Sequence, residues 1–467
     1  MKKLLLFLAC ICVSVASYAH DFEVNGICYD KISETEVAVA NYNGDVTCHY
    51  YTGNLVIPES VSYESSVYKV TTIGDKAFYN CSELTSVVMP STIKTIMSFA
   101  FFSCQGLSNI VIPNSVNHIG ADAFASCRGL TSIVIPESVT TLSENLLWDC
   151  INLTSVSLPE TLTNIEKQAF LYCEKLSAIH IPSTVEKIGE AAFAGCWELP
   201  SISLPLGIKT IGNDTFSACR ALASCVIPEG VTSIGARAFQ YCKALRSVRI
   251  PSTVSEVDED AFQLCNALEE VHISDLSSWC NINFKTKLDK DYQVVYFYNA
   301  TSNPLYCAKH LYLNGNIVEN LVIPEEANNI KGATFFNCSD ILNLVIPANI
   351  TSIGKYAFCG CSSLATITCL NKDVPLYEEC AFEGVDTNTC VLKVPFGTLE
   401  KYKAAEGWKD FLNIQEMENS GVSQIESDLD CIEVARYDVN GRAVDANYKG
   451  FVIIRYSDGS TAKAMSK

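Results

Sequence analysis

The chain has 467 residues, of which 52 are acidic and 33 basic, so its formal net charge is −19 at pH 7. Such an acidic chain repels phosphate backbones, which argues against nucleic acid as a partner. A hydrophobic fraction of 48% excludes disorder over most of the length. The 23 cysteines are unusual, and their positions must be understood before they are assigned to disulfides, metal binding or catalysis.

Residues 1–19 have the pattern of a secretory signal peptide. Two lysines precede an apolar run over residues 4–16, and small residues at positions 17 and 19 predict cleavage after Ala19. A lipoprotein signal that ends before Cys10 is the alternative. Both patterns predict an exported protein.

Residues 20–53 are predicted to form an N-terminal cap. Two strand-like pieces, Gly26–Tyr29 and Glu36–Val39, are accompanied by Asn-Gly and Gly-Asp turn signals. This combination is typical of a β-hairpin. We expect the hairpin to cover the first coil of the segment that follows.

A 23-residue period runs through residues 54–416. A phenylalanine position recurs at this spacing, a cysteine follows it by three residues, and a proline keeps the same interval. The phenylalanine position is occupied in turn by Phe78, Phe101, Phe124, Leu147, Phe170, Phe193, Phe216, Phe239 and Phe262, and the pattern resumes at Phe335 and Phe358. A fixed period of this length indicates a stack of repeated structural units.

One repeat can be interpreted physically as one coil of a solenoid. The apolar residues of Leu130–Ile135 suit a short strand with one buried face. Pro136 cannot donate to a ladder and ends that strand, Ile119-Gly120 predicts a second inward contact and a bend, and Phe124 points into the core. A single coil cannot bury its own apolar face, so the sequence predicts a β-rich solenoid with a parallel sheet on one face, capped ends and a small C-terminal β module.

The unit I-P-x-S-V-x-x-I-G-x-x-A-F-x-x-C resembles the BspA-like leucine-rich repeat of bacterial surface proteins. The resemblance implies a leucine-rich repeat array, with an irregular insert over 274–320 that is similar to longer units of the family. It also implies a C-terminal cap over 391–416, formed with Tyr402, Trp408 and Phe411. A cap is physically required, because the last coil would otherwise expose an apolar end and an unpaired strand edge.

The cysteines that follow the repeat period should form a ladder, with each thiol beside the equivalent thiols of neighbouring coils. Bridges are conceivable in an exported protein, but a uniform ladder cannot pair every member without distortion, so buried free thiols are the favoured interpretation. A denser group lies within 359–390. Its spacing lacks a C-x₂-C knuckle, which favours a local disulfide such as Cys380–Cys390 over a zinc site.

No catalytic motif is found in the sequence. It contains no nucleophile elbow, phosphate-binding loop or dinucleotide fingerprint, and the strand template places His180 and His272 on the exposed side of the sheet. We therefore predict a non-enzymatic protein with no catalytic residues, no cofactor, no metal site and no small-molecule substrate.

The outward positions of the predicted strands are mostly small and weakly polar. They are Ser86/Val88, Asn109/Val111, Ser132/Val134, Ser155/Ser157, Ala178/His180, Ser201/Ser203, Ser224/Val226, Ser247/Arg249 and Glu270/His272. Such a surface suits an extended protein partner, but small residues equally permit dense stacking, so ligand-binding residues are not assigned. The aromatic-rich part of the insert, Tyr292–Tyr306, is the best single candidate for a specific contact, or packs against neighbouring coils.

Beyond a polar linker over 417–430, residues 431–467 predict two strands, with an Asn-Gly turn after the first. The segment resembles the C-terminal sorting domain of type IX secretion cargo through Tyr437-Asp438 and Lys449-Gly450, although Phe451 stands where tyrosine is usual. The resemblance implies passage across the outer membrane to the cell surface or the medium. A small β module without a sorting role is the alternative.

Taken with the BspA-like resemblance, these features predict a secreted or surface-displayed binding protein. The family resemblance implies an adhesin whose partners are host extracellular matrix or plasma proteins, or other surface proteins. The alternative is a structural scaffold that assembles with other exported proteins of the cell envelope.

Overall fold

A computed structural model describes residues 20–42, 51–285 and 301–418, together with the backbone of three strands between 433 and 466. The predicted signal peptide and most of the linker lie outside the described residues. The chain divides into two compact units. The first takes its described residues from 1–272 and 283–308, and the second from 273–282 and 309–467.

The first unit is built from short strands that recur once or twice in each repeat. They are β1 Phe22–Val24, β2 Ile27–Lys31, β3 Glu36–Val39, β4 Gly53–Val56, β5 Ser60–Tyr63, β6 Ser66–Ile73, β7 Leu84–Val88, β8 Thr95–Ile96, β9 His118–Ile119, β10 Ser132–Val134, β11 Thr141–Leu142, β12 Ser155–Ser157, β13 Asn164–Ile165, β14 Ala178–Ile179, β15 Lys187–Ile188, β16 Ser201–Ser203, β17 Thr210–Ile211, β18 Ser224–Val226, β19 Ser233–Ile234, β20 Ser247–Ile250, β21 Glu256–Val257, β22 Glu270–Ile273 and β23 Asn283–Phe284. A 3₁₀ turn covers Pro304–Tyr306.

Most coils contribute one strand to each of two rows of parallel pairings. The strand before the proline pairs in register with its equivalent in the next coil, as in Ser132↔Ser155 of β10 and β12. The Ile-Gly segment, for which the sequence predicts a bend, forms a second two-residue parallel strand, as in Ile211↔Ile234 of β17 and β19. The sequence thus predicts the first sheet and misses the second, because two residues are too short to show an alternating pattern.

The predicted N-terminal hairpin is present. Strands β2 and β3 pair antiparallel, β1 adds a further antiparallel strand on β2, and β3 pairs in parallel with β6. The hairpin therefore covers the strand edge that the first coil would otherwise leave open.

The repeated phenylalanines form a stacked column in the core. Every member from Phe78 to Phe262 is fully buried, and ring centroids of neighbours lie between 5.0 Å, for Phe78 and Phe101, and 5.8 Å, for Phe193 and Phe216. Leu147, also fully buried, interrupts the column. Near-parallel rings at this separation have the offset geometry that aromatic pairs prefer.

The ladder cysteines are hydrogen-bond donors between coils. The Sγ of Cys219 lies 3.1 Å from the backbone oxygen of Phe193, which also accepts the N–H of Cys196 at 3.2 Å. The same contact joins Cys104 to the Phe78 oxygen at 3.0 Å, and it recurs through Cys265. A thiol is small enough for this core. Its S–H donates to the second lone pair of the phenylalanine carbonyl oxygen, whose first lone pair accepts the backbone N–H.

The turn that carries each phenylalanine uses left-handed backbone twice. Asp214 and Ala218, which flank Phe216, have φ values of 55° and 59°, and the N–H groups of all three residues donate to carbonyl oxygens of the next coil. Gly195 has a φ of 73° at the position equivalent to Ala218. Residues other than glycine are strained in this region, so the inter-coil hydrogen bonds must compensate for that strain.

The second unit contains the end of the insert, three further coils and the C-terminal segment. Its elements are α1 Leu276–Asn281, β24 His310–Leu313, β25 Asn316–Ile317, β26 Asn320–Val322, β27 Asn343–Ile346, β28 Ser352–Ile353, β29 Thr366–Cys369, β30 Leu376–Tyr377, β31 Val391–Val394, α2 Leu399–Ala404, a 3₁₀ turn Trp408–Asp410, β32 Asn413–Glu416, β33 Glu433–Asp438, β34 Gly450–Tyr456 and β35 Thr461–Ser466. Strands β26, β27, β29, β31 and β32 form one parallel sheet.

The residues expected to close the array are buried. Tyr402 and Trp408 are fully covered and Phe411 nearly so. The Tyr402 hydroxyl donates to the Asn371 oxygen at 2.7 Å, and Trp408 Nε1 donates to the Pro375 oxygen at 2.9 Å. Both aromatic residues therefore cover the last coil with their polar atoms satisfied.

The C-terminal segment has one strand more than the two predicted. Strands β33 and β34 pair antiparallel, and β35 adds a third antiparallel strand on β34. The predicted Asn-Gly turn at residues 440 and 441 lies outside the described residues. The continuous apolar run Phe451–Ile454 of β34 carries the strand signal, whereas the small and basic residues of β35 do not.

Two expectations about cysteines are corrected. Cys380 and Cys390 are both free, so the predicted local disulfide is wrong. Cys81, the first member of the ladder, is disulfide-bonded, whereas Cys104 and the later members are free. The bridge therefore does not run along the ladder, whose next member, Cys104, is free.

Candidate functional site

The candidate surface is the outward side of the strands that precede each proline in the first unit, here named the outer strand face. Side chains alternate across a strand, so inward Ile133 leaves Ser132 and Val134 exposed on β10. The same alternation exposes both ends of β12, β16 and β18. The outward positions predicted from the repeat are confirmed.

Valines cluster at one end of this face. Val56, Val88, Val111 and Val134 occupy the same outward position in four successive coils, with 65%, 57%, 73% and 64% of their surface exposed. Val56 and Val88 are direct partners in the β4–β7 register. This valine row is an exposed apolar strip on a strongly acidic protein, a combination typical of a contact surface.

Further along the outer strand face the outward residues are mostly polar, although Val226 of β18 is 65% exposed. The side chain of His180 is 79% exposed and lies 3.8 Å from Glu160, and His272 Nε2 lies 2.9 Å from the Glu270 carboxylate. Both histidines are on the exposed side of the sheet, as predicted. Each lies within ion-pair distance of a carboxylate on the solvent side of the sheet, a geometry typical of surface side chains.

The ladder thiols are unsuited to nucleophilic chemistry. Burial raises the pKa values of Cys127, Cys150 and Cys173 well above their ordinary range, and it raises the pKa of Cys225, a buried cysteine outside the ladder, to about 12. A thiol must ionise to attack an electrophile. These cysteines therefore serve packing and hydrogen bonding.

The described residues contain one group of three potential metal ligands that come together, His20, Glu23 and Cys28, with one ligand atom of each within 4.8 Å of the others. The cysteines of the 359–390 group are not gathered in this way. No metal site is predicted from the sequence, which does not single out this group. Its one local signal is the two-residue Asn-Gly turn that sets Glu23 opposite Cys28.

The insert is only partly described. Residues 292–300 of the predicted aromatic contact lie outside the described part of the chain, and Ser302 and Asn303 are fully buried. Within the second unit, Trp279 of α1 is buried, and its Nε1 donates to the Thr334 oxygen at 3.1 Å. These residues of the insert therefore pack inward, whereas β25 is exposed.

In the part of the chain that the structure describes, no helix is both long and apolar enough to span a bilayer.

Comparison with protein families finds one match. The model for the BspA type leucine-rich repeat region matches six copies, over residues 71–196, 163–287 and 308–403. The match points to no catalytic family. No curated protein matches the chain.

Solved structures include similar proteins. A leucine-rich repeat protein from Bacteroides ovatus is 24% identical, with 85% of this chain and 100% of that chain covered and a TM-score of 0.60. This likeness shows the fold. A leucine-rich cell surface protein from Faecalibacterium prausnitzii is 24% identical over 78% of this chain and 97% of its own, with a TM-score of 0.38. The pneumococcal vaccine antigen PcpA is 15% identical, with 86% of this chain and 99% of that chain covered and a TM-score of 0.43.

Proposed function

Because the chain belongs to the BspA-type leucine-rich repeat family, we propose that it is an exported adhesin that contacts a host matrix protein, a plasma protein or another cell surface through its outer strand face. Repeat proteins of this family are surface proteins, and their folds generally mediate protein binding. The observation that carries the proposal for this chain is the valine row.

The valine row supplies a plausible share of a binding energy. Burying a half-exposed valine contributes about 1 kcal/mol, so three of them contribute about 3 kcal/mol, or more than a hundredfold in affinity. Small neighbours such as Ser86, Ser132 and Ser155 let a partner's backbone approach the sheet closely. The net charge of −19 attracts basic partners and raises their association rate. Salt weakens this electrostatic contribution.

Binding of purified residues 20–467 to immobilised matrix and plasma proteins, at low and physiological salt, tests this proposal. The key variant replaces Val88, Val111 and Val134 with serine, the residue that later coils carry at 157 and 203. We expect saturable binding that survives physiological salt and weakens more than about a hundredfold in this variant.

A matched control replaces Leu206 and Leu412, exposed by 78% and 73%, with serine. This control should bind as the unmodified chain does. Equal affinity of the valine variant contradicts the assigned surface. Failure of the unmodified chain to bind any of these proteins contradicts matrix and plasma partners, and specific recovery of envelope proteins from the producing cell then supports the scaffold alternative.

For export we propose cleavage after Ala19 and a sorting role for residues 431–467. The three-stranded β33–β35 sheet and the resemblance to type IX sorting motifs support the sorting role of this segment. Deleting 431–467 should retain the protein inside the outer membrane, which cell fractionation measures. Undiminished surface display of the deleted chain would favour a small β module without a sorting role.

A further inference from the structure

A tight hairpin near residue 20 sets a carboxylate opposite a thiol. Asn25 and Gly26 have φ values of 53° and 77°, which suits the two-residue turn that joins twisted antiparallel strands. The resulting register pairs Glu23 directly with Cys28. Directly opposed residues have Cβ atoms about 4.5–5.5 Å apart, close enough for both side chains to reach one ion.

The third member of the group is an imidazole with an unused polar atom. His20 Nδ1 is buried and has no hydrogen-bond partner, and the ring stacks on Tyr42 with centroids 6.1 Å apart. One donor atom each from His20, Glu23 and Cys28 lies within 4.8 Å of the others. A buried nitrogen without a partner costs free energy, which a bound cation would recover.

The surroundings hold the thiol in place and are negatively charged. The N–H of Cys28 donates to the Tyr51 hydroxyl at 3.0 Å, and that hydroxyl donates to the Ala40 oxygen at 3.2 Å. Glu23 lies directly opposite Cys28 in the strand register, and Asp30 is two residues farther along β2, on the same face as Cys28. Two carboxylates beside a thiol form an environment that favours a divalent cation.

We propose that His20, Glu23 and Cys28 form a Zn²⁺ site; its fourth donor, resting on the proposed cleavage after Ala19, is the α-amino group that this cleavage frees on His20. Nitrogen, sulfur and oxygen donors are the usual zinc ligands. Zinc bond lengths of about 2.0–2.3 Å place tetrahedral donors about 3.3–3.8 Å apart, so the three side chains need to close by no more than about 1.5 Å.

Zinc binding to residues 20–467 tests the site. The chain is stripped with a chelator, kept reduced, and titrated with Zn²⁺ in competition with a chromophoric chelator. We expect one ion per chain, and His20→Ala, Glu23→Gln and Cys28→Ser should each weaken binding more than about a hundredfold, beyond the 10–100-fold that outer-shell groups typically contribute. Substitution by Co²⁺ should give a thiolate-to-cobalt absorption band that Cys28→Ser abolishes.

The controls are His180→Ala and Cys380→Ser, which change the same residue types elsewhere and should leave the affinity unchanged. Glu23 is exposed, so Glu23→Gln tests the site even where Cys28→Ser fails to fold. Absence of one tight site per folded chain, or its survival in Glu23→Gln and Cys28→Ser, overturns the proposal. A chain that begins at Ala19 should bind more weakly, and equal affinity refutes the role of the α-amino group.

Discussion

Replacing Cys219 with alanine removes one contact from the cysteine ladder and measures what that ladder contributes. The side chain is fully buried, and its Sγ lies 3.1 Å from the Phe193 oxygen. Loss of the buried sulfur costs about 1 kcal/mol if it is treated as roughly methylene-sized. Loss of the hydrogen bond costs about 0.5–1 kcal/mol more, because the carbonyl keeps its second donor, the N–H of Cys196.

Cys225→Ala is the matched control. Cys225 is free and 6% exposed, lies in the neighbouring strand β18, and packs against the same core. Its replacement should cost only the packing contribution of about 1 kcal/mol, against almost 2 kcal/mol for Cys219→Ala. Urea unfolding followed by circular dichroism measures both, provided that the slope with denaturant is unchanged.

The difference in unfolding free energy between Cys219→Ala and Cys225→Ala measures the contribution of the thiol–carbonyl hydrogen bond. The same excess should appear for Cys242→Ala, whose Sγ lies 3.2 Å from the Phe216 oxygen. If Cys219→Ala and Cys242→Ala are no more destabilising than Cys225→Ala, the thiol–carbonyl contacts contribute nothing, and the ladder cysteines are packing residues alone.

Three further predictions concern the coils. Gly189→Ala should destabilise by about 1–3 kcal/mol, because its Cβ would lie 2.4 Å from the Lys167 backbone nitrogen, whereas Gly212→Ala, with its nearest atom at 3.3 Å, should cost less than half as much in thermal unfolding. Ala218→Gly should stabilise by about 0.5–1 kcal/mol by relieving a left-handed residue, and the same change at Ala221 should not. Between pH 7 and 10 stability should fall as the pH rises through 9, because burial raises the folded pKa of Cys225 above the 9.0 of a free thiol, so the unfolded chain loses protons first. Urea midpoints from pH 7 to 10 check this sign, and a midpoint that rises with pH would contradict it.

The repeat period alone predicts the coil, because a side chain that returns every 23 residues must meet its own equivalent in a stack. It therefore predicts the Phe78-to-Phe262 column and the outward valines. The period does not show which groups bond between coils. The Cys219 thiol finds the Phe193 oxygen because left-handed turns orient that carbonyl, and backbone dihedrals of ordinary residues such as Asp214 leave no mark in the sequence.

Pairings outside the period are harder to predict. Cys380 and Cys390 are close enough in sequence for a bridge to be reasonable, yet both thiols stay free. The His20, Glu23 and Cys28 group depends on one hairpin register and on a ring stacked against Tyr42. The turn predicts the register, whereas the stacking depends on tertiary placement that no local pattern encodes.

The thiol–carbonyl contact also bears on how such a chain changes length. In the regular region every coil presents the same acceptor, its phenylalanine oxygen, to a thiol of the next coil. Cys196 Sγ donates to the Phe170 oxygen, and Cys219 Sγ donates to the Phe193 oxygen. Excising or duplicating a whole repeat therefore joins surfaces that already match, whereas a deletion of a few residues misaligns every bond at the seam. Gene duplication in whole repeats can thus lengthen the array without redesigning its interior.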